Sequence, residues 1–187
     1  MNKKWKVLLA VGTGLIFAKH ILADSKPVLA TVSHVDLSRY VGKWYEIARY
    51  PNWFEKDGDA NVTAEYTPRP DGKITVVNSC RRADATKTSK GEARVEDKAT
   101  NAKLKVAFFK PFYGNYWIID LAPDYSYAVV GEPSRKYLWV LSRTPQMSGE
   151  TYEKITGRVE ELGYDPAKLI KTPQSPLVKW SAEMLKI

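Results

Sequence analysis

The sequence predicts an all-β fold, an eight-stranded antiparallel up-and-down β-barrel with one C-terminal α-helix packed outside it. Short segments of alternating polar and apolar residues follow one another along the chain, separated by turn residues, whereas helical spacing occurs only near the C-terminus. Six Trp, eleven Tyr and eleven Pro favour strands and interruptions over a helical bundle. Consecutive hairpins of similar length favour closure into a barrel, because closure leaves no exposed sheet edge.

The composition allows one domain and restricts its partners. The chain has 187 residues and 44% hydrophobic content, enough for one buried core. Of the net charge of +8, four charges come from Lys3, Lys4, Lys6 and Lys19, which leaves +4 on residues 24–187. This mild basic bias suits anionic lipid headgroups. Because it lacks clustered Lys and Arg, no nucleic-acid partner is expected.

Residues 1–23 have the pattern of a signal peptide or an N-terminal anchor. A basic start, Met1–Lys6, precedes an apolar run of 12 residues, Val7–Ala18, which is too short to span a bilayer comfortably. The cleavage site stays open between Ala23 and Ala30. The only cysteine is Cys80, so we expect neither an intramolecular disulfide nor acylation of a cysteine beside the apolar run.

A polar arm, residues 24–34, leads into a helical turn near Val35–Tyr40, with Asp36 or Ser38 as its cap. The first strand follows at Gly42–Tyr50, where glycine permits close backbone approach. Strict alternation places Trp44, Glu46 and Ala48 on one face and Tyr45, Ile47 and Arg49 on the other.

The remaining elements follow in order. Alternation predicts strands from Asn61, across Ile74–Cys80, across Ser89–Glu96 and across Leu104–Phe108, with Asp71-Gly72 as a hairpin turn. Three further strands are predicted at about Asn115–Leu121, Tyr125–Gly131 and Lys136–Arg143, and a short last strand at Leu169-Ile170. Helical spacing predicts a helix over Ser148–Leu162, capped by Ser148 and ended by Gly163. Residues 173–187 form a C-terminal tail.

Three motifs in this order resemble those of the lipocalin family over residues 35–172. They are Asp36 with Tyr40–Tyr45, then Asp124-Tyr125, then Arg143. Trp44–Arg49, Pro111–Gly114 and Tyr137–Pro145 are similar to the bacterial outer-membrane lipocalins. The resemblance implies a structural motif in which Arg143 lies across Trp44 at the closed end of the barrel. The positions carried over for that motif are Gly42, Trp44, Tyr45, Asp124, Tyr125 and Arg143. It also implies export to the bacterial envelope, either periplasmic or associated with the outer membrane, although the acylated cysteine of such lipoproteins is missing.

An apolar inner wall with a few polar groups suits a small hydrophobic ligand. We expect the barrel to bind and carry or store a fatty acid or lysophospholipid in envelope lipid maintenance, close to a membrane surface and without a cofactor. The inner faces of the predicted strands supply the candidate ligand contacts. In the three strands over residues 115–143 alternation does not decide the face, and Tyr116 and Ile118 are assigned inward there as an interpretation. These candidates are Val62, Ala64, Tyr66, Ile74, Val76, Asn78, Ala93, Val95, Leu104, Val106, Phe108, Tyr116, Ile118, Ala128, Val130, Tyr137 and Trp139.

Two alternatives remain open at this point. A protein-interaction module would use the apolar outer face around Trp117 and Tyr127, either as a homodimer surface or as the seat of the helix. An enzyme would need Cys80, but both histidines, His20 and His34, precede the barrel, so no histidine base is expected near the thiol and the chain has no evident metal site. The chain is therefore not expected to be an enzyme.

Overall fold

Nine β-strands, two α-helices and one short 3-10 helix make up residues 27–174, the part of the chain described by the computed structural model. The predicted leader, residues 1–23, and nearly all of the predicted tail lie outside the described residues. The elements in chain order are α1 Leu37–Tyr40, β1 Gly42–Arg49, β2 Ala60–Pro68, β3 Ile74–Arg82, β4 Ala85–Val95, β5 Lys103–Phe109, β6 Phe112–Leu121, β7 Tyr127–Gly131, β8 Leu138–Ser142, α2 Gly149–Glu161, the 3-10 helix Pro166–Lys168 and β9 Ile170–Lys171.

The first eight strands form the closed barrel that the sequence predicts. Each strand pairs antiparallel with the next, and β1 pairs with both β2 and β8, which closes the sheet. The two-residue strand β9 pairs antiparallel with the C-terminal end of β1, at Ala48 and Arg49. The predicted strands β7 and β8 are shorter than expected because turns occupy their first residues; Tyr125, for example, has a φ of 64° and bonds to Ala122. Strand β6 begins three residues earlier than predicted, at Phe112.

Strand direction sorts the loops to two ends of the barrel. Residues 50–59, 83–84, 110–111 and 132–137 connect strands at one end, which we call the open end. The loops at residues 69–73, 96–102 and 122–126 lie at the other end, together with α1 and the start of β1. We call this second group the closed end.

Two separate apolar clusters lie on the two faces of the sheet. The inner cluster includes Trp44, Ile118 and Val130, inside the barrel. The outer cluster joins the sheet to α2, where Ile155 and Val159 are fully buried. Ser148 caps α2 by accepting from the Thr151 N–H, and Gly163 follows it with a φ of +80°, so both predicted boundaries are confirmed. Within residues 27–174, no helix has the length and apolar character needed to cross a membrane.

The apolar outer face around Trp117 and Tyr127 packs in the outer cluster. Both side chains contact the cluster that α2 covers, and Tyr127 is buried in it. The surface considered for a homodimer is therefore the seat of the helix.

A β-bulge corrects the predicted alternation of β1. The register with β8 shifts between Glu46 and Ala48, and Ile47 and Ala48 both pack on the outer cluster. The extra residue restores Arg49 to the side of Glu46, with which it forms an ion pair. Ala48 therefore does not share a face with Trp44, and Arg49 is not on the outer face that strict alternation gave it.

Candidate ligand-binding site

Arg143 and Trp44 close one end of the barrel, and we call this pair the plug. The guanidinium carbon of Arg143 lies 3.7 Å from the centroid of the Trp44 ring. Its nitrogens donate to the carbonyls of Arg39, Tyr40 and Lys43 at 2.6–3.0 Å. Cation–π attraction and charge-assisted hydrogen bonds thus act together, and they tie β8 to α1 and β1. The pairing implied by the sequence motifs is present.

The other motif residues support this plug. Gly42 has a φ of +93°, a conformation that glycine adopts without strain, and a Cβ there would lie 3.6 Å from the Arg143 guanidinium. The Tyr125 hydroxyl accepts from the Asp36 N–H at 2.8 Å, and Arg39 covers the Tyr125 ring at 4.0 Å. These contacts fix α1 across the closed end.

The Asp124 carboxylate shapes the neighbouring turn by accepting from the Ser126 N–H at 3.0 Å. Tyr45 has no comparable role in the plug, since its ring is partly buried and stacks beneath the ammonium of Lys43 at 4.9 Å.

Three tyrosine hydroxyls form a polar group just above the plug. Tyr116 bonds to Tyr40 at 2.7 Å and to Tyr66 at 2.9 Å. Burial raises the pKa of all three phenols, that of Tyr66 to about 12, so they stay neutral hydrogen-bonding groups. Tyr66 and Tyr116 were predicted to face inward, whereas Tyr40 was not a candidate because it precedes the first strand.

Most of the predicted ligand contacts lie together on the inner wall. All of them except Val62, Asn78 and Tyr137 belong to the inner cluster or pack against it. Several of these inward residues, including Val106, Phe108 and Trp139, are only partly buried. Partial exposure of an inward side chain means that solvent reaches it, so this part of the apolar inner wall is accessible.

The three remaining candidates lie at or near the open end of this wall. Val62 is buried beside a bulge in β2, and Tyr137 stacks on Trp139 with ring centroids 6.0 Å apart. The Oδ1 atom of Asn78 is buried, and no hydrogen-bond partner for it is found within residues 27–174. Asn78 can therefore offer an acceptor to a bound molecule.

An ionic cluster lies above the apolar wall, towards the open end. Arg49 forms ion pairs with Glu55 at 3.0 Å and Glu46 at 3.6 Å, and all three side chains are largely buried. Glu55 also accepts from the indole N–H of Trp139 at 3.0 Å, while the hydroxyl of Thr172 donates to Glu46. Burial first, and then the charge of Glu55, raise the pKa of the Glu46 carboxyl well above its usual range.

The sequence pattern places Glu46 on the face of Trp44 but does not reveal this cluster. Its members come from β1, from the loop after β1 and from the segment after β9, and only the bulge turns Arg49 towards them. An Arg three positions beyond a predicted inward Trp–x–Glu pattern carries no distinctive sequence signal.

Cys80 lies near a second ion pair at the open end. Arg82 donates to both carboxylate oxygens of Asp59 at 2.7 Å, and these bonds hold the pKa of Asp59 at about 2. Burial, together with the Asp59 carboxylate, raises the pKa of the Cys80 thiol. The thiol therefore stays protonated, which does not suit a nucleophile.

A cavity of about 380 Å³ lies beside the open end. It is lined by Arg49, Asp57, Gly58, Asp59, Ile170, Lys171, Thr172 and Pro173. None of the predicted ligand contacts lines it; through Arg49 and Thr172 it borders the ionic cluster instead.

Comparisons with known proteins agree with this architecture. The family model described as a lipocalin-like domain matches residues 35–174. Temperature-induced lipocalin-1 of Arabidopsis thaliana is 41% identical over 80% of this chain and 85% of its own length. The outer membrane lipoprotein Blc of Escherichia coli (strain K12) is 40% identical over 82% of this chain and 90% of its own length.

Solved structures show the same fold. Insecticyanin from the tobacco hornworm Manduca sexta superposes with a TM-score of 0.64 at 25% identity, over 80% of this chain and 86% of that one. Apocrustacyanin C2 gives a TM-score of 0.61 at 18% identity, over 75% of this chain and 80% of that one.

Proposed function

This chain belongs to the lipocalin family, and on that premise we propose that its barrel binds and carries a single-chain lipid, a fatty acid or a lysophospholipid, in maintenance of the cell envelope. The observation that carries the proposal is the inner wall, which is apolar, is closed at one end by Trp44 and Arg143, and has only partly buried side chains at Val106 and Phe108. Such a wall suits a hydrocarbon chain that enters from the open end.

Polar groups lie at both ends of the apolar inner wall, an arrangement that suits an amphiphile. The tyrosine hydroxyls lie at the floor, while the ionic cluster of Arg49, Glu46 and Glu55 lies near the mouth. Between them the wall is apolar apart from Asn78. A chain inserted tail first would leave its headgroup beside the ionic cluster, where hydrogen-bonding groups are available.

The energetics favour ligands with one acyl chain. Removing an acyl chain of about 16 carbons from water contributes on the order of 10 kcal/mol, against association costs of ~4 kcal/mol or more. A lipid that leaves a bilayer gains almost nothing from the same transfer, because it was already surrounded by hydrocarbon. The barrel should therefore load lipids that leave bilayers readily, which are single-chain lipids rather than two-chain lipids.

The proposal also includes export of the protein to the envelope and a binding role rather than an enzymatic one. Export to the envelope rests on the pattern of residues 1–23 and on the Escherichia coli relative, whose name describes an outer membrane lipoprotein. Neither an enzymatic role nor a homodimer gains support from a contact in residues 27–174, since Cys80 has a raised pKa and α2 covers the outer apolar face.

A fluorescent fatty-acid titration tests the proposal. Full-length protein should bind 11-(dansylamino)undecanoic acid saturably, and palmitate or a lysophosphatidylcholine should displace it, whereas the two-chain phosphatidylcholine should not. Native mass spectrometry of protein purified from its own envelope should show a copurified single-chain lipid. A titration without saturation would refute the proposal.

A matched pair of variants locates the binding site. Val106→Trp fills the inner wall and should lower probe affinity at least about tenfold, because an indole would occupy the space of several methylenes. Val77→Trp introduces the same side chain on the outer face of β3, between the exposed Glu65 and Lys90, and should leave affinity unchanged. Equal effects of the two substitutions would place the probe outside the barrel.

A further inference from the structure

Four aromatic side chains are exposed at the open end. Trp53 is 75% exposed, Phe54 44%, and Phe109 and Phe112 78% each. The other large apolar side chains exposed within residues 27–174 are aliphatic, Val28 and Ile170. Exposed clusters of large apolar residues mark interaction sites far more often than scattered single ones do.

The four aromatics lie on opposite sides of the mouth. Trp53 and Phe54 are in the loop between β1 and β2, whereas Phe109 and Phe112 flank the turn between β5 and β6, four strands further round the barrel. The two apolar contact points therefore lie across the full width of the mouth. A flat apolar partner would meet both points at once.

An aromatic path connects this surface to the inside of the barrel. Trp53 packs edge-on against Phe54 at 5.4 Å between centroids. Phe54 in turn stacks with Trp139 at 6.2 Å and lies tilted against Tyr137 at 5.9 Å, and Trp139 packs against the inner cluster. An acyl chain moving between the partner surface and the inner wall would stay in contact with apolar rings along this path.

The hairpin between β3 and β4 gives the open end a basic edge. Residues 83–90 are all exposed, and they include Lys87 and Lys90, neither of which forms an ion pair among the described residues. The one acid of this segment, Asp84, lies 3.9 Å from the guanidinium of Arg81.

We propose that the open end docks on an anionic lipid bilayer, with Trp53, Phe54, Phe109 and Phe112 in the interfacial region and the β3–β4 hairpin against the headgroups. Aromatic rings beside free lysines match the chemistry of that interface, where indole and phenyl rings partition and cations meet anionic lipid. A second copy of this chain would bring the same basic edge against itself, which disfavours the mouth as a homodimer contact. Membrane docking is a separate property from the proposed lipid binding but agrees with it, because docking would place the mouth of the barrel at a source of lipid.

Binding of full-length protein to vesicles tests the proposal. Phe109→Ser combined with Phe112→Ser should lower partition onto phosphatidylcholine–phosphatidylglycerol vesicles at least about tenfold, since two phenyl rings lose their apolar contact. Phosphatidylcholine carrying brominated acyl chains should quench tryptophan emission in the wild type, and Trp53→Phe should abolish most of that quenching.

Two pairs of charge variants, a test pair and a control pair with the same change in net charge, test the role of the basic edge. Lys87→Glu with Lys90→Glu should weaken binding to vesicles containing phosphatidylglycerol about tenfold or more and should leave binding to pure phosphatidylcholine nearly unchanged. Lys98→Glu with Lys154→Glu changes the total charge equally at exposed positions away from the open end, and should have little effect. Equal loss with both pairs would mean a general charge effect and would overturn the proposal.

Two other results would also overturn it. If the N-terminal segment alone holds the chain on vesicles, the phenylalanine variant will bind like the wild type and Trp53→Phe will not alter quenching. If the mouth binds a second copy instead, sedimentation will show a dimer that the phenylalanine variant dissociates. The Phe109/Phe112 and Lys87/Lys90 variants should bind the soluble fatty-acid probe normally, so failure of docking and failure of ligand binding can be told apart.

Discussion

Replacing Arg143 by alanine tests the plug at the closed end of the barrel. The substitution removes the guanidinium from the Trp44 ring, 3.7 Å away, and leaves the carbonyls of Arg39, Tyr40 and Lys43 without this donor. A cation–π contact of this kind contributes about 0.5–2 kcal/mol, and each hydrogen bond about 1 kcal/mol net. We therefore expect the free energy of unfolding to fall by about 3–5 kcal/mol.

Thermal and urea denaturation followed by circular dichroism measure this loss. For a folded unit of this size, about 1 kcal/mol corresponds to roughly 2–4 °C, so the melting temperature should fall by on the order of 10 °C. Arg143→Lys should lie between the wild type and alanine, because an ammonium keeps the charge but cannot reach all the carbonyls. Arg158→Ala, which removes an exposed arginine from α2, is the matched control and should have little effect. A melting temperature for Arg143→Ala within experimental error of Arg158→Ala would refute the proposed role of the plug.

Three further substitutions test the ionic groups and the helix. The raised pKa of Glu46 means that its contribution to stability is complete below its unfolded pKa and is lost as pH rises towards its folded pKa, so Glu46→Gln should become progressively more stable than the wild type as the pH of denaturation is raised. The pKa of Asp59, about 2 beside Arg82, has the opposite consequence: Asp59→Asn should destabilise the protein at neutral pH, and the difference should disappear as the pH falls through about 4 to 2. Ile155→Ala leaves a cavity where α2 meets the sheet and should cost about 2–5 kcal/mol in urea denaturation, whereas an unchanged midpoint would mean that the helix is not part of the cooperative fold.

The sequence determined the architecture because its pattern is local and repeated. Alternation with a period of two, interrupted by turns, is sufficient to predict hairpins, and hairpins of similar length favour a closed barrel. The inward faces of the strands up to β5 followed from the same pattern; Ile74, Val76 and Leu104, for instance, all lie in the inner cluster. The pairing of Trp44 with Arg143 came from motifs rather than from alternation.

Only the tertiary structure decided the polar part of the site. One extra residue in β1 resets the alternation, and this bulge turns Arg49 inward to meet Glu46 and Glu55. A bulge depends on the register between β1 and β8, whose residues are about 100 positions apart, so no local pattern in either strand reveals it. The exposed aromatics of the open end are a similar case. The sequence supplies the residues, but only the closed sheet brings Trp53 and Phe109 to the same end of the barrel.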